Sequence, residues 1–112
     1  ILLDGEPLTM NKLHPLWHSG DPIVHETIEA VVEDISSVLT GAVNLLTPSL
    51  VILGGGVVWH LPEVVEMIEI RVRTSCLAPL REDMRFVRSA LGEDAALQGA
   101  AVLLILKYLG EI

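Results

Sequence analysis

The chain has 112 residues, 51% of them hydrophobic and 20% charged, with a mean hydropathy of +0.55. This is the size of one domain or part of one, and the composition is far too apolar for an intrinsically disordered chain. Seven Lys and Arg against fifteen Asp and Glu give a net charge of −8 and a pI near 4.8, which argues against phosphate-backbone binding by this segment.

The opening Ile1-Leu2-Leu3-Asp4-Gly5 has no basic region and no long apolar run, so no signal peptide is expected. A first residue of Ile rather than Met points to a piece of a longer protein. Residues 1–20 read as an irregular lead-in, because Gly5, Pro7, Pro15 and Gly20 break any period. A helical turn fits only near residues 9–13.

At Asp21 the pattern changes. Asp21 can cap a helix whose first position is Pro22, where the missing N–H of proline costs nothing. Ile28, Val31, Val32, Ile35, Val38, Leu39, Ala42, Val43, Leu45 and Leu46 then recur in steps of three and four, the stripe of an amphipathic helix. Glu26, Glu29, Glu33 and Asp34 suit its N-terminal half, and Thr47-Pro48 should end it. The run Leu50-Val51-Ile52-Leu53 reads as a buried strand covered on both faces. A second helix is expected from Leu61-Pro62, with Val64, Val65, Ile68 and Val72 on one side, stopping before Pro79. Residues 85–90 are a second strand near an edge. Residues 94–109 make a third helix, apolar nearly all round and therefore of the kind that is normally buried. Residues 95–106 contain Gln98 and fall short of the roughly 20 residues that span a bilayer. No membrane association is expected.

The order helix, strand, helix, strand, helix predicts an α/β fold with a mainly parallel sheet. Two strands are few for an open sheet, so the remainder of a longer protein or a second copy should complete it.

Gly54-Gly55-Gly56, with Val57 beside it, is the main candidate site. Glycine admits positive φ and close approach of a ligand, and ligands in open α/β sheets sit at strand carboxyl ends. A plain strand-to-helix turn remains an equal reading of the same residues. No Gly-Lys-Ser/Thr follows, and no third spaced glycine occurs, so neither a P-loop nor a dinucleotide fingerprint is present. His14 and His18 have a metal-ligand spacing, but Pro15 lies between them, and neither His25 nor His60 is near enough in sequence to complete a set. They read as surface histidines. Arg71, Arg73, Arg81, Arg85 and Arg88 read as a solvated face paired with Glu66, Glu69, Glu82 and Asp83 rather than an anion site. Glu93 and Asp94 read as first-turn carboxylates. The single Cys76 excludes an internal disulfide and fits a reducing, cytoplasmic setting. Trp17 and Trp59 read as packing or interface residues. No catalytic set is visible.

Three stretches taken together resemble a known family. They are Gly20-Asp21-Pro22, then Asn44-Leu45-Leu46-Thr47-Pro48 running into Val51-Ile52-Leu53-Gly54-Gly55-Gly56-Val57, and finally Ser89-Ala90-Leu91-Gly92-Glu93-Asp94-Ala95-Ala96-Leu97-Gln98-Gly99-Ala100-Ala101. In this order and spacing they resemble the C-terminal lobe of the ROK family of repressors, open reading frames and sugar kinases, over roughly residues 20–109.

The resemblance implies part of a ribonuclease H-like, actin-like ATPase lobe, with residues 21–112 as the lobe segment. It implies ATP with Mg²⁺ as cofactor, a sugar substrate and a homo-oligomer. Gly54, Gly55, Gly56 and Val57 are the residues it places along the adenosine. The family's Asp-x-Gly-x-Thr phosphate loop, Asn-Asp catalytic pair, Glu-x-Gly-His sugar motif and Cys-rich zinc motif do not occur in these residues. They are expected upstream of Ile1, with any zinc held there and no ligands for it here. The bulky Val58-Trp59-His60 replaces the small or polar residues often seen after the triglycine, which predicts a narrower nucleotide site. A sugar-sensing, dimerising lobe of a ROK-type transcriptional repressor is the alternative, with DNA bound by a separate helix-turn-helix. A stand-alone association domain is a third reading.

Overall fold

In the computed structural model, the described residues are 2, 3, 6, 7 and 9–111, and the described side chains are those of 9–92, 94 and 96–111. Glu93 is therefore placed by its backbone alone, and the reading of its carboxylate lies outside the described side chains. Two short antiparallel segments open the chain, β1 (Leu2–Leu3) and β2 (Glu6–Pro7). They lead into α1 (Leu13–Ser19) through a 3₁₀ turn at Met10–Lys12. The elements that follow are α2 (Pro22–Leu46), β3 (Leu50–Leu53), α3 (Gly56–His60), α4 (Glu63–Ser75), β4 (Arg85–Arg88) and α5 (Ala95–Tyr108).

The lead-in is more regular than its glycines and prolines imply. Pro15 falls in the first turn of α1, where no intrahelical N–H is required, so it does not interrupt the helix. Gly20 closes α1 at φ +81°, and the ring of Trp17 stacks on His25 at 3.9 Å with the planes 6° apart. His25 Nε2 also lies 2.7 Å from the Trp17 carbonyl oxygen, which docks α1 onto the start of α2.

The long helix α2 is built as its sequence implies. The Asp21 carboxylate accepts from the Ile23 and Val24 amides at 3.0 and 3.1 Å, and Pro22 takes the first helical position. The helix ends at Leu46, with Thr47 in the left-handed region at φ 47° ahead of Pro48. Its buried stripe is narrower than the hydrophobic pattern: Val24, Ile28, Val32, Ser36 and Val43 are buried, while Ile35, Val38, Leu45 and Leu46 face outward. Ser36 thus occupies a core-facing position between Val32 and Val43.

Against this stripe packs α4, which buries Val64, Ile68 and Val72 at steps of four, each removal from water worth about 1.5–3 kcal/mol. The Leu77 amide donates to Asn44 Oδ1 at 2.9 Å and ties the far ends of α2 and α4 together. Leu61, fully enclosed, plugs the corner between α3 and α4.

The strands β3 and β4 pair in parallel, Val51 opposite Phe86 and Ile52 opposite Val87. The expectation of a sheet covered on both faces is corrected. Val51 and Leu53 join the α2–α4 core, but Ile52, pointing the other way, is 60% exposed. A parallel sheet packed on one side only is an incomplete layer.

The last helix, α5, is incomplete in the same sense. It follows a 3₁₀ turn at Gly92–Asp94. Leu97, Val102, Leu103, Leu104, Ile105 and Tyr108 are all exposed, Leu104 at 70% and Tyr108 at 91%. The molecule measures 50 × 42 × 18 Å with a radius of gyration of 16.8 Å, against about 13 Å for a compact domain near this length. It is a thin plate with a projecting apolar helix. Among the described residues no helix is long and apolar enough to cross a membrane.

Candidate functional site

The triglycine sits where β3 ends and α3 begins. Pairing with β4 continues one step past the strands, with the Ser89 amide donating to the Leu53 carbonyl at 2.7 Å. The chain then turns, and the Trp59 amide donates to the Gly55 carbonyl at 3.0 Å in the first bond of α3.

The three glycines have different surroundings. A Cβ on Gly54 would lie 3.2 Å from Ser89 Cβ, so its bare backbone lets the end of β4 approach. A Cβ on Gly56 would lie 3.2 Å from Met10 Cε, the end of a flexible, exposed side chain that can shift. Gly55 has φ +103° and ψ 176°, a conformation open essentially to glycine alone, and its Cβ position meets nothing within 4 Å. Gly54 stands close against the end of β4, whereas Gly55 presents unobstructed, exposed backbone at a strand end. Val57 is half-buried against the core and the neighbouring Val58 is buried, which leaves Val57 a lesser part in any ligand contact.

Trp59 lies across the neighbouring turn. Its ring covers Gly92, whose Cβ position would be 3.4 Å from Cζ3, and the Arg88 guanidinium sits 5.4 Å from the ring centroid. Gly92 has φ +74°. The indole therefore braces α3 against the turn entering α5, and the turn in turn is held by the Gln98 side-chain amide donating to the Leu91 carbonyl at 3.0 Å.

The arginines do not assemble into an anion site, nor do they simply face solvent. Arg73 pairs with Glu69 at 3.5 Å, covers Phe86 at 5.5 Å and donates to the Arg81 and Met84 carbonyls. Arg81 reaches the carbonyls of Thr74 and Cys76 at 3.4 and 3.5 Å. The two side chains thus clamp the connection from α4 to β4. Cys76 is buried beneath it, a free thiol beside the Arg73 carbonyl.

Two features were not legible as sites in the sequence. A groove of about 520 Å³ runs between α2 and α4, lined by Glu33, Ser37, Thr40, Arg71 and Thr74 beside Ser36, whose hydroxyl is buried without a hydrogen-bond partner. At the opposite end of α4, Glu63 meets both His14 and His18, with Oε1 at 3.8 and 3.4 Å from their Nε2 atoms. The spacing of the two histidines was visible. Glu63 was not, because only the tertiary fold carries the start of α4 to the face of α1.

A family model described as "ROK family" matches residues 3–107. The chain belongs to the ROK family. It is also 28% identical over 115 residues to kanosamine kinase of Amycolatopsis mediterranei (strain S699), an alignment covering 99% of this chain and 36% of that kinase. The chain therefore spans about a third of the length of the curated relative it matches. No solved structure matches it. The triglycine lies at the carboxyl end of the parallel strand β3. The described side chains bring no pair of carboxylates and no phosphate-binding loop to that strand end.

Proposed function

We propose that this chain is the nucleotide-side part of the C-terminal lobe of a ROK-type sugar kinase, which moves the γ-phosphoryl group of ATP to a hydroxyl of a hexose. The observation that carries this reading is Gly55: open backbone at φ +103° at the end of β3, in a chain with a sugar-kinase relative aligned along 99% of it. The fold is then one lobe of an actin-like ATPase, with residues 21–112 as the lobe segment, and ATP lies in the cleft facing the other lobe.

In this reading Gly54 and Gly56 set the shape of the strand end, and Gly55 offers a flat wall to the adenosine, with Val57 at its margin. Mg²⁺ accompanies the nucleotide and neutralises charge on its phosphates. Catalysis of this kind is mostly positioning and electrostatics, so a wall that holds the adenosine contributes through binding and orientation. The base that accepts the sugar hydroxyl proton and the loop that cradles the phosphates belong to residues outside this chain. The bare sheet face at Ile52 and the apolar α5 would be covered by the rest of the protein or by a second subunit of a cytoplasmic homo-oligomer.

A coupled ATP assay on the full-length protein carrying this chain, with a panel of hexoses and amino sugars, tests the reading. Sugar-dependent ADP release is expected, and Gly55→Val should raise the KM for ATP more than that for sugar. The 112-residue chain alone should be inactive. Full-length protein that binds operator DNA and sugar but releases no ADP would replace the kinase with a ROK-type repressor.

A further inference from the structure

We infer that His14, His18 and Glu63 form a binding site for one divalent transition-metal ion of the Zn²⁺ class, which fastens α1 to the start of α4. The two histidines stand at i and i+4 on α1, so their imidazoles share a face, with ring centroids 4.2 Å apart. Glu63 Oε1 lies 3.4 Å from one Nε2 and 3.8 Å from the other, and all three ligand atoms fall within 4.8 Å of one another.

These separations are long for hydrogen bonds, which cluster at about 2.7–3.2 Å. They are close to what a metal imposes: ligands about 2.0–2.2 Å from a tetrahedral ion are roughly 3.3–3.6 Å apart. With all three ligand atoms within 4.8 Å of one another, a contraction of about 1 Å would bring them round one ion.

The second carboxylate oxygen adds an independent observation. Glu63 Oε2 is buried and has no hydrogen-bond partner, although other atoms leave the side chain 40% exposed. An enclosed carboxylate oxygen without a donor is costly, and a cation at Oε1 lowers that cost by neutralising the group. Both imidazoles are about half exposed, so an ion can enter directly from water.

The donor set selects the ion. Imidazole nitrogen favours Zn²⁺, Ni²⁺, Cu²⁺ or Co²⁺, whereas Mg²⁺ prefers an all-oxygen shell, so this site is separate from any magnesium accompanying a nucleotide. Two histidines and one carboxylate leave a fourth position for water. An ion held there binds the folded arrangement in preference to the unfolded chain and stabilises it by mass action.

The test uses the full chain, stripped with chelator and titrated with ZnCl₂ by calorimetry, with MgCl₂ as the control. One equivalent of Zn²⁺ and a raised thermal midpoint are expected, with no saturable Mg²⁺ response. His14→Gln, His18→Gln and Glu63→Gln should each weaken Zn²⁺ binding by at least about tenfold while leaving the circular dichroism unchanged. X-ray absorption at the zinc edge of the unsubstituted protein reads the ligands without relying on any variant, and imidazole scattering is expected. No saturable Zn²⁺ binding, binding that survives the His14→Gln/His18→Gln double substitution, or a sulfur shell from Cys76 would each overturn the assignment.

Discussion

Two helices of similar length end in opposite circumstances. The thirteen-residue α4 buries Val64, Ile68 and Val72 against α2 and is anchored at both ends. The fourteen-residue α5 is more apolar, yet its large side chains are in solvent. Within these residues the single apolar face of α4 has a partner, whereas α5 has no surface to cover it. In α4 the buried residues Val64, Ile68 and Val72 fall every four positions with Glu66, Glu69 and Arg71 between them, so one face has a definite partner. In α5 the apolar residues surround the axis, and nothing within the chain can cover all sides of it. The same contrast divides the sheet, whose Val51 face is packed and whose Ile52 face is bare.

The largest expected effect separates the two regions directly. Leu61→Ala, which empties a fully enclosed corner, should cost about 2–5 kcal/mol in urea denaturation. Leu104→Ala on α5, measured in the same chain, should stay within about 0.5 kcal/mol. Equal losses would mean that α5 is packed in solution. At the strand end, Gly55→Val should cost about 1–3 kcal/mol, since no β-branched residue sits comfortably at φ +103°. Gly99→Ala, in the exposed helix with nothing within 4 Å, should instead gain about 0.5–1 kcal/mol.

Smaller effects belong to the helix ends and surface. Asp21→Ala removes two amide contacts at the start of α2 and should cost about 1 kcal/mol, read as a lower denaturation midpoint. Glu69→Gln breaks a partly exposed pair with Arg73 and should shift stability by less than about 0.5 kcal/mol. A larger loss there would show that the Arg73 clamp on Arg81 and Met84 depends on the carboxylate.

Much of the packed region was legible in residue order. Asp21-Pro22 and Thr47-Pro48 bound α2 because a side-chain cap and a proline act locally. The triglycine was likewise visible, since a strand followed by glycines needs no distant residue to recognise it. What escaped depended on distance or on short length. Five residues are too few to display a helical period, so no helix was read over α3, although the start of α4 was placed near Leu61-Pro62. Pro15 masked α1 because its tolerance depends on being in the first turn. Ser36 broke the hydrophobic stripe of α2 from inside the core. Division of labour within Gly54-Gly55-Gly56 was not readable either, because Ser89 and Met10 reach it from remote parts of the chain.

The most direct measurement is amide hydrogen exchange on the full-length protein with and without Mg·ATP. Protection is expected to concentrate at residues 53–57, with little nucleotide-dependent change in the core of α4. Nucleotide binding that leaves residues 53–57 unaltered, while protecting another segment of the chain, would contradict the assignment of Gly55 to the adenosine wall.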